Sequence, residues 1–241
     1  MRLFNSSRSS FALLAFLGSA VLFAPPETHA STIPNGGFET PVVGANTFNS
    51  FVYRPTGASW TFAGGSGISG NNSGFTTGNP PAPEGVQVAF LQRSAQLTSA
   101  SISQQISIIS DGQLQITFFA AQRAAGSIPG SLVPNQQDFN VFLDTTLIGH
   151  FLPTSISYLT YSTVPTPVST GSHTLSFVGL NTVGSSDNTA FLDNVQYFLS
   201  PIPEPGIYGL LLSGLGFVAW NIRYRRRQMS RQTRSQLPRA S

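Results

Sequence analysis

Between Ile102 and Ala120 apolar side chains recur at every second position, and that period restricts the chain to extended structure. Ile102, Gln104, Ile106 and Ile108 share one side, with serines and Gln105 between them. Leu114, Ile116, Phe118 and Ala120 then alternate with Gln113, Gln115 and Thr117. A helix would scatter these residues around its circumference, whereas a strand collects them on one face. Asp111-Gly112 between the two runs is a hairpin-turn signal. Further strands are predicted at residues 140–143, 147–151, 159–164, 174–180 and 191–198, with Thr145-Thr146 in the turn between the first two.

These runs lie within residues 31–200, a length that suits one domain able to bury its own core. No segment there carries a helical 3,4-spaced stripe, and no internal repeat is visible. Cysteine and lysine are both absent, so no disulfide framework supports the fold. The formal charge of +3 misdescribes this section, because the arginines gather at the chain ends. Within residues 31–200, three arginines (Arg54, Arg93, Arg123) stand against seven acids (Glu39, Glu84, Asp111, Asp138, Asp144, Asp187, Asp193), and 3 − 7 gives −4. A mildly acidic domain argues against nucleic acid as a partner. Short strands, turn signals and two long Gly/Asn/Ser/Pro-rich loops at 64–83 and 126–137 predict an all-β sandwich, with ligands expected at the loops.

The ends of the chain carry addresses. Residues 1–30 read as a secretory signal peptide: Arg2 and Arg8 precede an apolar run from Phe11 to Phe23, and Thr28-His29-Ala30 offers a small-x-small cleavage site before Ser31. The alternative is an uncleaved anchor, and either way the chain is exported. At the other end stand Pro203, Glu204 and Pro205, then an apolar run from Gly206 to Ile222, then Arg223, Arg225, Arg226 and Arg227. Proline fixes φ and removes an N–H, so the triplet is a stiff, exposed joint. Residues 206–222 are at the lower limit for a transmembrane helix, which needs about 20 residues in a core about 30 Å thick. Bilayer thinning and snorkelling arginines make up such a deficit. By the positive-inside rule the arginines hold that end in the cytoplasm, and residues 228–241 are expected to be a disordered cytoplasmic tail.

Pro-Glu-Pro, a short membrane helix and an arginine cluster, in that order, resemble the PEP-CTERM sorting signal of Gram-negative, exopolysaccharide-producing bacteria. The resemblance covers residues 201–227 and implies processing by an exosortase, a membrane cysteine transpeptidase that cuts near the Pro-Glu-Pro. It places an intermediate in the inner membrane and the product at the cell surface or in the extracellular matrix. The tail from Gln228 to Ser241 departs from the pattern, which normally stops close behind the arginines.

Chemistry is sparser. In the last predicted strand Asp193 shares a face with Phe191, Val195 and Tyr197, where a carboxylate is costly unless it is paired or bound to a cation. If the first and last strands are neighbours, Glu39 and Asp193 meet and share Ca²⁺ with backbone carbonyls, all hard oxygen ligands. The alternative is that Asp193 accepts backbone hydrogen bonds at a strand end. Asn35-Gly36-Gly37-Phe38-Glu39, the strands after it and Phe191-Leu192-Asp193-Asn194-Val195 follow in an order similar to galactose-binding-like jelly rolls of secreted carbohydrate-binding modules. That resemblance implies a jelly-roll fold, a glycan-binding or matrix role, and a structural calcium held by a Glu and an Asp that map onto Glu39 and Asp193.

Sugar recognition uses an aromatic plane with polar neighbours. Tyr53, Trp60, Phe75, Tyr158 and Tyr161 are the candidates, with Arg123, Gln87, Gln92, Arg93 and Asn181 as polar partners. Trp60 lies in a strand predicted over Ser59-Trp60-Thr61-Phe62 and reads as core packing before sugar contact. His150 and His173 read as surface or edge histidines, and no nucleophile elbow, zinc-protease motif or phosphate-cradling loop is present. The sequence therefore points to an exported, non-catalytic surface or matrix protein that binds extracellular polysaccharide. A glycan-acting hydrolase and a purely structural spacer are the alternatives.

Overall fold

The computed structural model describes residues 29–94, 97–124, 136–180, 188–202 and 205–235. The expected signal peptide up to Thr28, residues 126–135 of the second loop, Asn181, Asp187, Pro203, Glu204 and residues 236–241 lie outside them. Thirteen strands form two antiparallel sheets among the described residues. The larger contains β1 (His29–Thr32), β2 (Phe51–Tyr53), β4 (Ser66–Gly70), β5 (Gln87–Arg93), β7 (Gly112–Gln122), β10 (Leu159–Ser162), β11 (Thr166–Val168) and β13 (Asn188–Ser200). Its order is β10-β7-β13-β5-β4-β2, with β1 beside β13 and β11 beside β7. The smaller holds β3 (Thr61–Gly64), β6 (Ala100–Ile108), β8 (Phe139–Leu143), β9 (Thr146–Phe151) and β12 (Gly171–Gly179), in the order β3-β6-β12-β8-β9. Packed face to face, they make the all-β jelly-roll sandwich that the alternation required.

The core lies between the sheets. Ile102, Ile106 and Ile108 enter it from one side and Leu114, Ile116 and Phe118 from the other, joined by Phe139, Leu175, Phe177 and Leu192. Each such side chain contributes about 1.5–3 kcal/mol on leaving water. This placement overturns the hairpin expected at Asp111-Gly112. β6 and β7 belong to different sheets, so the turn crosses from one layer to the other. Asp111 fastens it by accepting hydrogen bonds from Thr170 N at 2.7 Å and Thr170 Oγ1 at 2.9 Å. Two strands with the same alternation can bury a common core by pairing side by side or by facing each other, and period alone does not separate the cases.

A second correction concerns the long loop expected at 64–83. Ser66–Gly70 is a fully buried strand of the larger sheet. Gly67 explains how: a Cβ there would stand 2.2 Å from Val52 O and 2.5 Å from Phe90 Cζ, so only glycine admits the Phe90 ring. The β8–β9 pairing does form a hairpin, with Asp144 at φ 54° in its turn.

At the C-terminus a helix, α1 (Pro205–Ser235), covers the apolar run expected at 206–222. Pro205 opens it, at a position where a missing N–H costs nothing. The helix continues through residues 228–235, eight residues of the tail expected to be disordered, because nothing between Ile222 and Ser235 is a helix breaker. Among the described residues no helix is long and apolar enough to cross a membrane. The apolar run is about 25 Å long at helical rise and the arginines follow it at once.

Candidate functional site

Two regions of the larger sheet gather the residues singled out above. The first is built where segment 33–39 docks on β13. Gly36 O accepts from Val195 N at 3.0 Å, and a Cβ on Gly36 would stand 2.4 Å from Val195 O, so glycine permits the approach. β13 carries an irregularity between Asp193 and Gln196, with Asn194 at φ 46°. It breaks the alternation read from the sequence. Val195 and Tyr197 enter the sandwich core with Leu192, while Phe191 belongs to a cluster on the outer face.

Asp193 itself is fully buried. Its Oδ2 accepts from Glu84 N at 2.8 Å and its Oδ1 from Asn194 N at 2.7 Å. Glu39 reaches the same place from the N-terminal loop, its Oε1 accepting from Val86 N at 3.0 Å and Gln87 N at 2.8 Å. Glu84 is the third acid, and nothing in the sequence marked it. A pocket of about 530 Å³ opens beside them, lined by Asn35, Gly37, Glu39, Glu84, Asn194 and Gln196 among others, with no basic side chain in its wall. Burial pushes the Asp193 carboxyl up to about 8; its two backbone hydrogen bonds oppose this, and the charges of Glu84 and Glu39 add to it. Asn35 and Phe38, at φ 54° and 56°, join Asn194 as non-glycine residues held in the left-handed region around this pocket.

The expected pair, Glu39 and Asp193, is thus brought together, with β1 and β13 as neighbours. Among the described residues no group of three or more His, Cys, Asp or Glu side chains is placed to hold a metal ion. What the loops supply is the two hard carboxylates of Glu39 and Asp193, and the hydrogen-bond alternative accounts for both Asp193 oxygens.

The second region is the outer face of the larger sheet. Phe75, Val88, Phe90 and Phe191 form a buried cluster there, with Phe51, Tyr53, Ala82 and Tyr158 against it. Phe75 stacks on Phe90 at 4.4 Å, and the Arg123 guanidinium sits 4.8 Å from the Phe75 ring centre, donating from Nη2 to Gly74 O at 2.8 Å. Tyr53 OH donates to Gln92 Oε1. The fold therefore unites Tyr53, Phe75, Tyr158 and Arg123, but as a closed cluster under the segment 71–83. Phe75 is 5% exposed and Arg123 7%, so neither is an open sugar platform. Among the described residues the buried Tyr158 hydroxyl has no hydrogen-bond partner, and burial, then the nearby Asp193 charge, raises its pKa.

Trp60 and Tyr161 go elsewhere. Trp60 is 3% exposed, packs on Phe38 and Phe177, and donates from Nε1 to Asn35 O at 2.9 Å, so it is a core residue. Tyr161 stacks on Phe118 at 6.0 Å, and partial burial raises its pKa. Gln87 is wholly buried and ties the N-terminal loop, donating from Nε2 to Phe38 O at 2.9 Å and Pro41 O at 3.1 Å. Arg93 donates from Nη1 to Gly179 O at 3.1 Å. His150 and His173 face Asp138 and Asp144, at 3.2 Å and 2.8 Å, near the surface.

Residues 201–227 match the PEP-CTERM protein-sorting motif, so the chain carries that motif at its C-terminus. No curated protein matches the chain by sequence. Among solved structures, it is similar to a family 61 carbohydrate-binding module in complex with β-1,4-galactotriose, at 13% identity and a TM-score of 0.45, covering 69% of this chain and 97% of that one. It is also similar to a family 36 carbohydrate-binding module in complex with calcium and xylotriose (15% identity, TM-score 0.35, 50% and 86% covered). The K2 cleaved adhesin domain of Lys-gingipain is a third (11% identity, TM-score 0.41, 71% and 99% covered). These likenesses concern the fold.

Proposed function

We propose that this chain is an exported, exosortase-sorted, non-catalytic protein of the cell surface or extracellular polysaccharide matrix, in which residues 31–200 are the glycan-binding domain. The PEP-CTERM motif at 201–227 carries the reading. In this reading residues 1–30 are removed on export, Pro203, Glu204 and Pro205 form the processing site, and the apolar part of α1, too short for a bilayer of ordinary thickness, holds an inner-membrane intermediate where the bilayer thins around it. Arg223, Arg225, Arg226 and Arg227 stay on the cytoplasmic side. β1 begins at His29, and after a cut behind Ala30, Ser31 and Thr32 still pair with Tyr197 and Gln196.

Support for a binder comes from the loops at 40–50 and 71–83, which are joined by hydrogen bonds from Asn46 N to Asn71 O and from Gly74 N to Phe48 O. Neither contains an ionisable acid, base or histidine, and both are rich in Asn, Ser and Thr. Such a surface offers hydroxyl and amide partners to a neutral polysaccharide. The hydrolase alternative would draw on the acids around Asp193. Full burial, with both oxygens engaged by backbone N–H groups, keeps Asp193 from a substrate proton. Those acids serve better as a structural cation site: Glu39 and Asp193 with backbone carbonyls would hold Ca²⁺ and lock the N-terminal loop to β13.

The test is intact mass and membrane fractionation of the chain produced with and without an exosortase. A product ending near residues 203–205, seen only with the enzyme, supports the sorting route. An unchanged membrane-bound mass in both hosts refutes it and leaves a plain anchored protein.

A further inference from the structure

The neutral loop face carries one aromatic that the sequence did not single out. Outside α1, Phe48 is the only exposed aromatic among the described residues, at 72% exposure. Its ring is held in place. One edge lies over Gly74, where a Cβ would stand 2.8 Å from Phe48 Cε2, and Gly74 N donates to Phe48 O at 2.9 Å. The turn beneath is closed by Ser50 N donating to Thr47 O at 3.0 Å and by the two hydroxyls of Thr47 and Ser50 at 2.7 Å. Segment 71–76 is itself fixed from below by Arg123 on Gly74 O and by buried hydroxyl contacts among Ser69, Ser73 and Thr76.

Two amides stand on the same pair of loops. Asn72 Nδ2 donates to Asn46 Oδ1 at 2.8 Å, and Asn46 N donates to Asn71 O at 2.7 Å, which locks the loops to each other. Both side chains are exposed, and the pairing uses only one polar atom of each. A donor on Asn46 and an acceptor on Asn72 are left over, which suits a hydroxyl that both donates and accepts. From Thr40 to Pro83 only Arg54 is charged. A rigid aromatic plane beside fixed amides, in a stretch whose single charge is Arg54, complements a pyranose face and its hydroxyls.

From this we infer that Phe48, with Asn46 and Asn72, is the stacking platform for a neutral polysaccharide. The inference rests on the glycan-binding reading and deepens it. Preorganisation by Gly74 and Arg123 means that little order has to be created on binding. Arg123 is therefore a positioning residue rather than a sugar contact.

The experiment is affinity electrophoresis of the full chain in detergent through gels containing soluble β-1,4-galactan, β-1,4-xylan or, as the charged comparison, alginate. The expected result is retardation by a neutral polysaccharide, weakened at least tenfold in Phe48→Ala and retained in Phe48→Tyr. The melting temperature should be the same in all three proteins, since the ring is mostly in solvent. Retardation that Phe48→Ala leaves intact overturns the platform while leaving glycan binding standing. Retardation by alginate alone overturns the neutral-sugar assignment. No retardation by any of the three in the unaltered chain overturns the glycan-binding reading, and the platform with it.

Discussion

Replacing Asp193 with Asn isolates the electrostatic cost of the acidic pocket. Asp193 is fully buried, with Glu84 and Glu39 adding their charges, so its carboxyl is held at about 8 instead of 3.8. Between those values the native state keeps a proton that the unfolded chain releases, so stability falls as pH rises and levels off above 8. The full span corresponds to roughly 5–6 kcal/mol, and the part between pH 5 and pH 8 to roughly 3–4 kcal/mol. Asn cannot ionise, so the variant lacks this loss. At pH 5 the unfolded parent has already released this proton, which lowers its stability by about 1.6 kcal/mol, while the altered hydrogen bond in the variant costs about 1 kcal/mol, so the two proteins should differ there by about 1 kcal/mol or less. The assay is urea unfolding of the full chain in detergent with EDTA, at pH 5, 6, 7 and 8. Profiles that run parallel for the parent and Asp193→Asn would refute the argument. Repeating the series in millimolar calcium tests the cation site. Bound calcium keeps Asp193 ionised, so it should raise the midpoint of the parent and flatten its pH slope, and calcium without effect removes the proposed site.

Other outcomes are equally open to measurement. Phe75→Ala should cost about 3–5 kcal/mol in chemical unfolding, because the ring is a buried stack on Phe90 rather than a sugar platform; a loss of binding with unchanged stability would contradict this. The hydrogen bond that His173 Nδ1 donates to the Asp144 carboxylate raises the His173 pKa above 6.5. Its contribution is fully present below 6.5 and is lost as pH rises through the folded value. His173→Gln should therefore lower the melting temperature more at pH 5.5 than at pH 8.5, by an effect worth less than ~1 kcal/mol for so exposed a pair.

The fold class and the strands with clean alternation were legible because burial follows chain period: Leu114, Ile116 and Phe118 declare their face whatever they pair with, whereas the nearly continuously buried strand Gln87–Arg93 carries no alternation to read. Partners were not. Asp111-Gly112 suits a hairpin, yet the hydrogen bonds that pull it toward Thr170 come from a residue 59 positions away. Ser66–Gly70 looked like a loop because the feature that makes it a strand, the Phe90 ring over Gly67, belongs to another segment. In the site, Glu39 and Asp193 were legible from their places in the first and last motifs. Glu84 was hidden because it joins them through a backbone N–H and loop closure, and neither leaves a trace in residue type. Trp60 and Phe48 exchange roles for a similar reason. An aromatic is core or platform according to what lies beneath it, and for Phe48 that is one glycine.

The position of β13 has a mechanical meaning. This strand lies in the interior of the larger sheet, bonded to β7 along one side and to β5 and β1 along the other, and its last residue, Ser200, is still paired with Gln113. The tether leaves from that end. A pull on that end against a domain held elsewhere would load those antiparallel hydrogen bonds along the strand axis, in shear, so many must fail together. A tether on an edge strand pulled sideways would unzip them one at a time. The chain thus takes its load on the strand least able to peel away, and a cut beyond Ser200 frees the domain without removing a single rung of that ladder.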